Sequence, residues 1–337
     1  MTNDAAGNVH YATGMTEAAT EVGIESDYGP LDSVACSSQF GTLTFYGTDA
    51  CDGGGTPGLQ ASRGGLFAFG PVAGDGIGFF LYQLLEGELS RARLGRLVGT
   101  KWKFADAPIM AETARGALAA YRIAVDKTGA LLLLESDHVA RRATNGTYDS
   151  VAFPSCIGPS AKVSDIKTDA TGAWFIAATT AAGAIAVSRR DPSGHWVTES
   201  VDAAGTSAVE LVLALGTLHL LYSRDDGWYY ARRVGSGWVR KRIGTLSPAL
   251  DLLNSPPPRM AIDSCGAPHL VWNSYSENSI GNLFWPVHYA RWTRTGWRQI
   301  QVANGQDPST PGIAMTPTAA TVIAYEYNDR LFTFPFN

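Results

Sequence analysis

Long apolar runs are missing from this chain of 337 residues. None approaches the roughly 20 residues that a membrane-spanning helix requires, so no transmembrane helix is expected. An excess of basic charge is missing too. Lys and Arg number 26 against 31 Asp and Glu, a formal net charge of −5. That balance argues against nucleic acid as a general polyanionic partner. The short basic cluster Arg240-Lys241-Arg242 reads as a solvated outer strand. Cysteine is scarce: Cys36, Cys51, Cys156 and Cys265 are too few for a disulfide scaffold and lack zinc-site spacing. Cys36 and Cys51 can pair in an oxidising compartment; reduced, buried cysteines are the alternative. The opening "MTNDAAGNVHYATG" has neither a basic n-region nor an apolar core. An extracytoplasmic protein with its leader removed is the expectation, and a cytosolic one the alternative. Helical periodicity is absent over most of the chain, and only 107–121 has the pattern for a helical turn or two. There is no Gly-rich phosphate loop, nucleophile elbow or metalloprotease motif.

Apolar residues are present in quantity, at 45%, and 37 Gly and 17 Pro are scattered as turns require. Three stretches read alike: "AVDKTGALLLL" (124–134), "KTDATGAWFIA" (167–177) and "AIDSCGAPHLVW" (261–272). Each is a strand-like run, Asp-x-x-Gly, and a second strand-like run. Asp126, Asp169 and Asp263 are placed to accept hydrogen bonds from turn amides. Gly129, Gly172 and Gly266 are placed to take positive φ. "LVLALGTLHLLY" (211–222) keeps the Gly and loses the Asp. A third strand follows each hairpin and ends in a small residue, usually followed by arginine: Ala92-Arg93, Ala140-Arg141, Ser188-Arg189, Ala231-Arg232 and Ala290-Arg291. The small residue implies close approach of packed sheets, with the arginine on the opposite face. A fourth strand opens on Trp102, Trp196, Trp238 or Trp297 after a Gly turn, read as packing between sheets.

Four short strands recurring every 40–50 residues or so give the period of a β-propeller blade. Inner strands start near 33, 67, 122, 164, 210, 259 and 312. The expected fold is all-β, a single β-propeller domain over 1–337, with seven blades or, as the alternative, six. The fragment "VHYA" at 9–12 matches "VHYA" at 287–290. It implies that 8–25 supply outer strands to a closing blade whose inner strands are 311–337.

These units resemble bacterial β-propeller repeats of the broad sialidase-like and BNR-like kind. There, inner hairpins of the form D-x-x-G-x-x-H precede "YAR" and "GW" elements. The resemblance covers most of the chain. "TDATGAW" (168–174) departs by spacing from the Asp-box pattern S-x-D-x-G-x-x-W, and the WD40 dipeptide is missing. Arg122 in "YRIAVD" is similar to an arginine with which sialidase-like propellers bind a substrate carboxylate, but lacks the proline that follows it there.

In such a fold the first-to-second and third-to-fourth turns share a lower face, and the other connections share an upper one. The lower turns here are tight. The upper connections are long, at 49–58, 107–116, 153–161, 247–258, 274–286 and 303–312. Long loops on one face mark a binding face. Tyr275, Glu277, Asn278, Asn282, Trp285 and His288 fall there, with Tyr325, Glu326, Tyr327, Asn328 and Asp329 from the next unit. Arg224, Asp225 and Asp226 also lie there, and Arg122 and Arg259 start inner strands nearer the axis.

Flat aromatics beside amides and carboxylates suit sugar rings. The leading expectation is non-catalytic binding of a carbohydrate or similar polar ligand at one asymmetric site. Its candidate ligands are Trp285, Tyr275, Asn278, Asn282, Tyr325, Tyr327, Asp329 and Arg122. One alternative is a lyase or glycosidase acting on an acidic polysaccharide. It would use His288 or Tyr275 as base, an arginine such as Arg259 on the uronate, or Glu277 and Glu326 as an acid–base pair. The other is a protein-interaction scaffold. Beside these stand structural readings: His288 shares a repeat position with His10, and His219 and His269 sit near the lower face. No cofactor is required. A calcium site from Asp225, Asp226 or Asp329 is an open alternative without EF-hand spacing. Oligomeric state is left open.

Overall fold

The computed structural model describes residues 2–3, 9–12, 36–40, 43–47, 60–71, 78–86, 89–98, 101–106, 113–114, 122–135, 137–157, 161–243, 258–274, 276–277, 283–305, 311–315, 321–327 and 330–336. Among these residues every regular element is a β-strand. An antiparallel four-strand meander recurs over 60–106, 122–152, 162–202, 207–243 and 259–305. The short strands Thr113–Ala114 and Ser276–Glu277 add to the first and last of these. Residues 312–336 form a further sheet of three strands.

The first strand of each meander lies against the first strand of the next, from Gln60–Phe69 through Arg122–Val125, Lys162–Thr168, Ser207–Ala214 and Arg259–Ile262 to Gly312–Met315. Blades sit this way in a propeller, inner strand beside inner strand. Val9–Ala12 pairs in parallel with Leu43–Gly47 and antiparallel with Thr2–Asn3. That differs from the expected pairing with the C-terminal sheet, although these N-terminal strands do lie beside Gly312–Met315 and Gln60–Phe69.

The core lies between sheets rather than within them. Strand side chains alternate between faces. Thus Trp174 and Ile176 pack toward Leu132 and Leu134, while Phe175 and Ala177 pack toward Leu211, Leu220 and Tyr222. The next gap is filled by Leu221, Trp228 and Tyr230 against Met260, Leu270 and Trp272. Each fully buried Leu or Ile contributes about 1.5–3 kcal/mol. The repeated small residues Ala140, Ser188, Ala231 and Ala290 are buried, and each following arginine points to the other face and is at least partly exposed.

The aspartate turns form as their sequence implies. Asp126 Oδ1 accepts from Thr128 N at 2.8 Å and Ala130 N at 3.0 Å. Asp169 and Asp263 repeat this with Thr171, Ala173, Cys265 and Ala267. Asp191 adds a fourth example, accepting from Ser193 N and His195 N. Gly172 is needed in its turn because φ is +93° and a Cβ would lie 2.6 Å from Lys127 Cε. Where the aspartate is lost, a two-residue turn puts Leu215 itself at φ 51°.

Two expectations need correction. Cys156 and Cys265 are exposed free thiols, not buried ones, because both fall at turns. The 274–286 connection is not all loop: Leu283–Thr293 is one strand that extends past the sheet, so Trp285 is paired to Gly305 within a ladder. The stretch 107–121 lies outside the described residues apart from Thr113–Ala114.

Candidate functional site

Four residues occupy equivalent register positions on the inner strands of consecutive sheets, Arg122 and Arg259 as the first residue of theirs and Asp165 and Glu210 as the fourth. Arg122 is paired with Leu134, Asp165 with Ala177, Glu210 with Leu221, and Arg259 with Val271. They form a row of charges, plus, minus, minus, plus, at the end of the sheets opposite the aspartate turns. In the two middle sheets a β-bulge precedes the acid, between Val163 and Asp165 and between Ala208 and Glu210. A bulge re-aims the side chain that follows it.

The two carboxylates reach across to the next sheet. Asp165 Oδ2 accepts from the buried Leu211 N at 2.8 Å, while its Oδ1 accepts from Ile166 N at 2.8 Å and Lys167 Nζ at 2.9 Å. Glu210 Oε2 accepts from Met260 N at 2.6 Å. Each acid therefore satisfies a backbone donor of its neighbour that burial would otherwise leave without a partner. Burial raises Glu210 above the ordinary carboxylate range, and Asp165 raises it further, against the opposing charges of Arg259 and Lys167. Arg122 is lowered by burial and by Arg259, and held up by Asp165 and Glu210. An arginine so placed keeps its charge, because its intrinsic pKa lies above 12. The four groups thus sense one another's fields at one end of the assembly.

Toward the rim of the same end lies a second polar network. Tyr222 Oη donates to Asp202 Oδ2 at 2.7 Å, and Arg224 and Arg240 lie 3.6 and 3.4 Å from that carboxylate. Burial raises Asp202, but the hydrogen bonds from Tyr222 and Ala204 N and the two arginines outweigh it, and the net shift is downward. Asp226 accepts from Tyr229 Oη at 2.8 Å, and Arg224 lies over the Tyr229 ring at 5.0 Å. Asp226 is therefore occupied by protein donors. Among the described residues no three His, Cys, Asp or Glu side chains gather where they could hold a metal ion.

His288 is half-buried, stacked on Trp272 with ring centres 5.3 Å apart, and hydrogen bonded through Nε2 to Ser274 Oγ at 2.7 Å. Burial lowers its pKa, so the ring is neutral near pH 7. His219 and His269 lie near the turn end, where they bond Tyr230 Oη at 2.7 Å and Tyr289 Oη at 2.6 Å. His138 is tied to Asp137 at 2.7 Å in an exposed turn.

The other sequence candidates spread out. Trp285 is half-buried on the strand extension. Glu277 lies on the short strand Ser276–Glu277, and Tyr325, Glu326 and Tyr327 lie on Thr321–Tyr327. Tyr275, Asn278, Asn282, Asn328 and Asp329 lie outside the described residues. Of the named candidates, Arg122 and Arg259 are brought to one place. The acids between them, Asp165 and Glu210, were not among the candidates. Asp165 stands four residues before its turn aspartate, as Arg122 and Arg259 do before theirs, and that spacing is a usable signal.

No protein-family model matches the chain, and no curated protein matches it. Solved β-propeller structures resemble it at a distance. A subtype N11 neuraminidase-like protein of A/flat-faced bat/Peru/033/2010 is 10% identical at a TM-score of 0.49, over 98% of this chain and 96% of that one. An ancestral GH74 enzyme is 11% identical at 0.49, over 84% and 43%. The fucose-specific lectin from Aleuria aurantia is 12% identical at 0.42, over 81% and 92%. None reaches a TM-score of 0.5.

Proposed function

We propose that the chain is a single β-propeller that binds a carbohydrate, or a ligand of similar polarity, without catalysis. The site is the end of the sheets where the inner strands begin. The blade count is read as seven, the sheets over 2–47 and 312–336 being blades beside the five meanders. Closure is read at the contact of the N-terminal strands with both neighbours. An extracytoplasmic setting belongs to the same proposal.

One observation carries the reading: Arg122 and Arg259 flank Asp165 and Glu210 on neighbouring inner strands, on the side of the long connections. Fixed donors and acceptors at the mouth of a shared axis suit a hydroxyl-rich ligand, which presents both kinds of partner. The carboxylates already accept backbone hydrogen bonds, which favours positioning over proton transfer. Because the four groups differ from sheet to sheet, one asymmetric site fits better than several equal ones.

The test is retention of the purified protein on immobilised neutral and acidic polysaccharides, with new chain ends counted in parallel. Binding to one polymer class is expected, lost in Arg122→Ala and Arg259→Ala. Retention unchanged in both variants would remove this end as the site. New chain ends from any polymer would replace binding by catalysis.

A further inference from the structure

A groove of about 230 Å³ opens at the opposite, turn-bearing end, between the sheets of 122–152 and 162–202. Lys127, Arg141, Asp149 and Val151 line one wall, and Trp174 and Arg190 the other. Arg190 lies with its guanidinium carbon 4.7 Å above the Trp174 ring. Its Nε is buried with no hydrogen-bond partner among the described residues.

The repeat explains that vacancy. Arg190, Arg233 and Trp292 each follow the small-residue–arginine pair of their sheet. Val151, Glu199 and Lys241 occupy the facing position on the preceding sheet, being paired with Val139, Val187 and Tyr230. In the second gap Glu199 takes both Nε and Nη2 of Arg233, the Nε bond being 2.9 Å, and also accepts from Trp238 Nε1. In the third gap Lys241 sits 4.5 Å above the Trp292 ring. Both pairs are complementary. In the first gap a valine faces the arginine, no carboxylate is supplied, and the groove opens beside the pair.

We propose that this groove binds a small hydroxylated carboxylic acid of the uronic-acid type, whose carboxylate pairs with the Arg190 guanidinium from the groove side and supplies the charge that Glu199 supplies to Arg233. A fork-to-fork Arg–carboxylate pair is among the stronger polar contacts. The other cations are engaged: Arg141 Nε donates to Asp126 Oδ2 at 3.1 Å, and Lys127 Nζ donates to Thr171 O at 2.7 Å. Asp149 is offset by Arg141, whose Nη1 lies 3.5 Å from its Oδ2, and can accept from ligand hydroxyls. The volume lies below the roughly 300 Å³ at which ordinary ligand pockets begin, which suits a single ring.

The experiment titrates the full chain with sodium glucuronate, with glucose as the neutral control, followed by calorimetry and amide chemical shifts. Saturable glucuronate binding at millimolar concentration, with no glucose binding, is expected. Val151→Glu supplies the carboxylate internally, as in the second gap. It should weaken glucuronate by ~10-fold or more, the scale of one lost charged hydrogen bond, while polysaccharide retention through the Arg122 end is unchanged. Arg190→Gln should weaken glucuronate similarly without placing a new charge in the groove. Equal binding of glucose, no saturation by glucuronate, or wild-type affinity in both variants would overturn the proposal.

Discussion

Replacing Asp165 by alanine tests whether the inner-strand acids hold neighbouring sheets together. The substitution removes the acceptor of the Leu211 amide, and Leu211 is fully buried. A buried donor left without a partner costs about 1–3 kcal/mol. The lost Lys167 contact adds little, since the lysine side chain is 36% exposed and its pairing is screened by water. The expected total is about 2–3 kcal/mol. Asp165→Asn keeps an oxygen for the Leu211 amide but turns an NH2 donor toward Ile166 N and Lys167 Nζ, so about 1–2 kcal/mol is expected. Urea unfolding followed by fluorescence reads both, as a lower midpoint at unchanged slope. Asp165→Ala within about 0.5 kcal/mol of the parent would refute the clasp, since surface changes are usually that small. Asparagine as damaging as alanine would show that the donors on Oδ1, not the Leu211 amide, carry the effect.

Other outcomes follow from the same geometry. His219 is lowered from 6.5 to about 4, by burial first and Arg232 second. Its neutral form is the folded one, so stability is full above pH 6.5. It falls as the pH drops, because the unfolded chain protonates first, and approaches a loss of about 3 kcal/mol near pH 4; unfolding of His219→Phe across that window should show a shallower slope. Ala231→Leu places a large side chain at a fully buried position of the core between two sheets and should cost about 1–3 kcal/mol or prevent folding, read by thermal melting. Leu215→Asn should raise stability by about 1 kcal/mol, since Leu215 is 66% exposed and strained at φ 51°.

Much of the fold was legible because its units repeat. The aspartate turns, the positive-φ glycines and the small residues at 140, 188, 231 and 290 each carry a local physical requirement, and repetition makes the requirement visible. The N-terminal pairing was not legible, because the identity of "VHYA" at 9–12 and 287–290 fixes a strand type and not its partner. The site was half legible. Arg122 and Arg259 stand out as charges opening apolar strands. Glu210 was hidden twice over, by the bulge before it and by the loss of the turn aspartate that sets the spacing. Arg190 was hidden differently: its lack of a partner depends on Val151, 39 positions earlier, across a gap that only the folded chain creates.

The inner-strand clasps have a direction. Asp165 reaches forward to Leu211, and Glu210 reaches forward to Met260. During synthesis each carboxylate is in place before the amide that it will bind has been made. A chain emerging from its N-terminal side, as domains do when they fold on the ribosome, presents a ready acceptor to the sheets of 207–243 and 259–305. Assembly is thereby vectorial. A truncation that removes a later sheet exposes an acid, which water solvates readily. One that removes an earlier sheet takes the acceptor away and uncovers the amide that it bound.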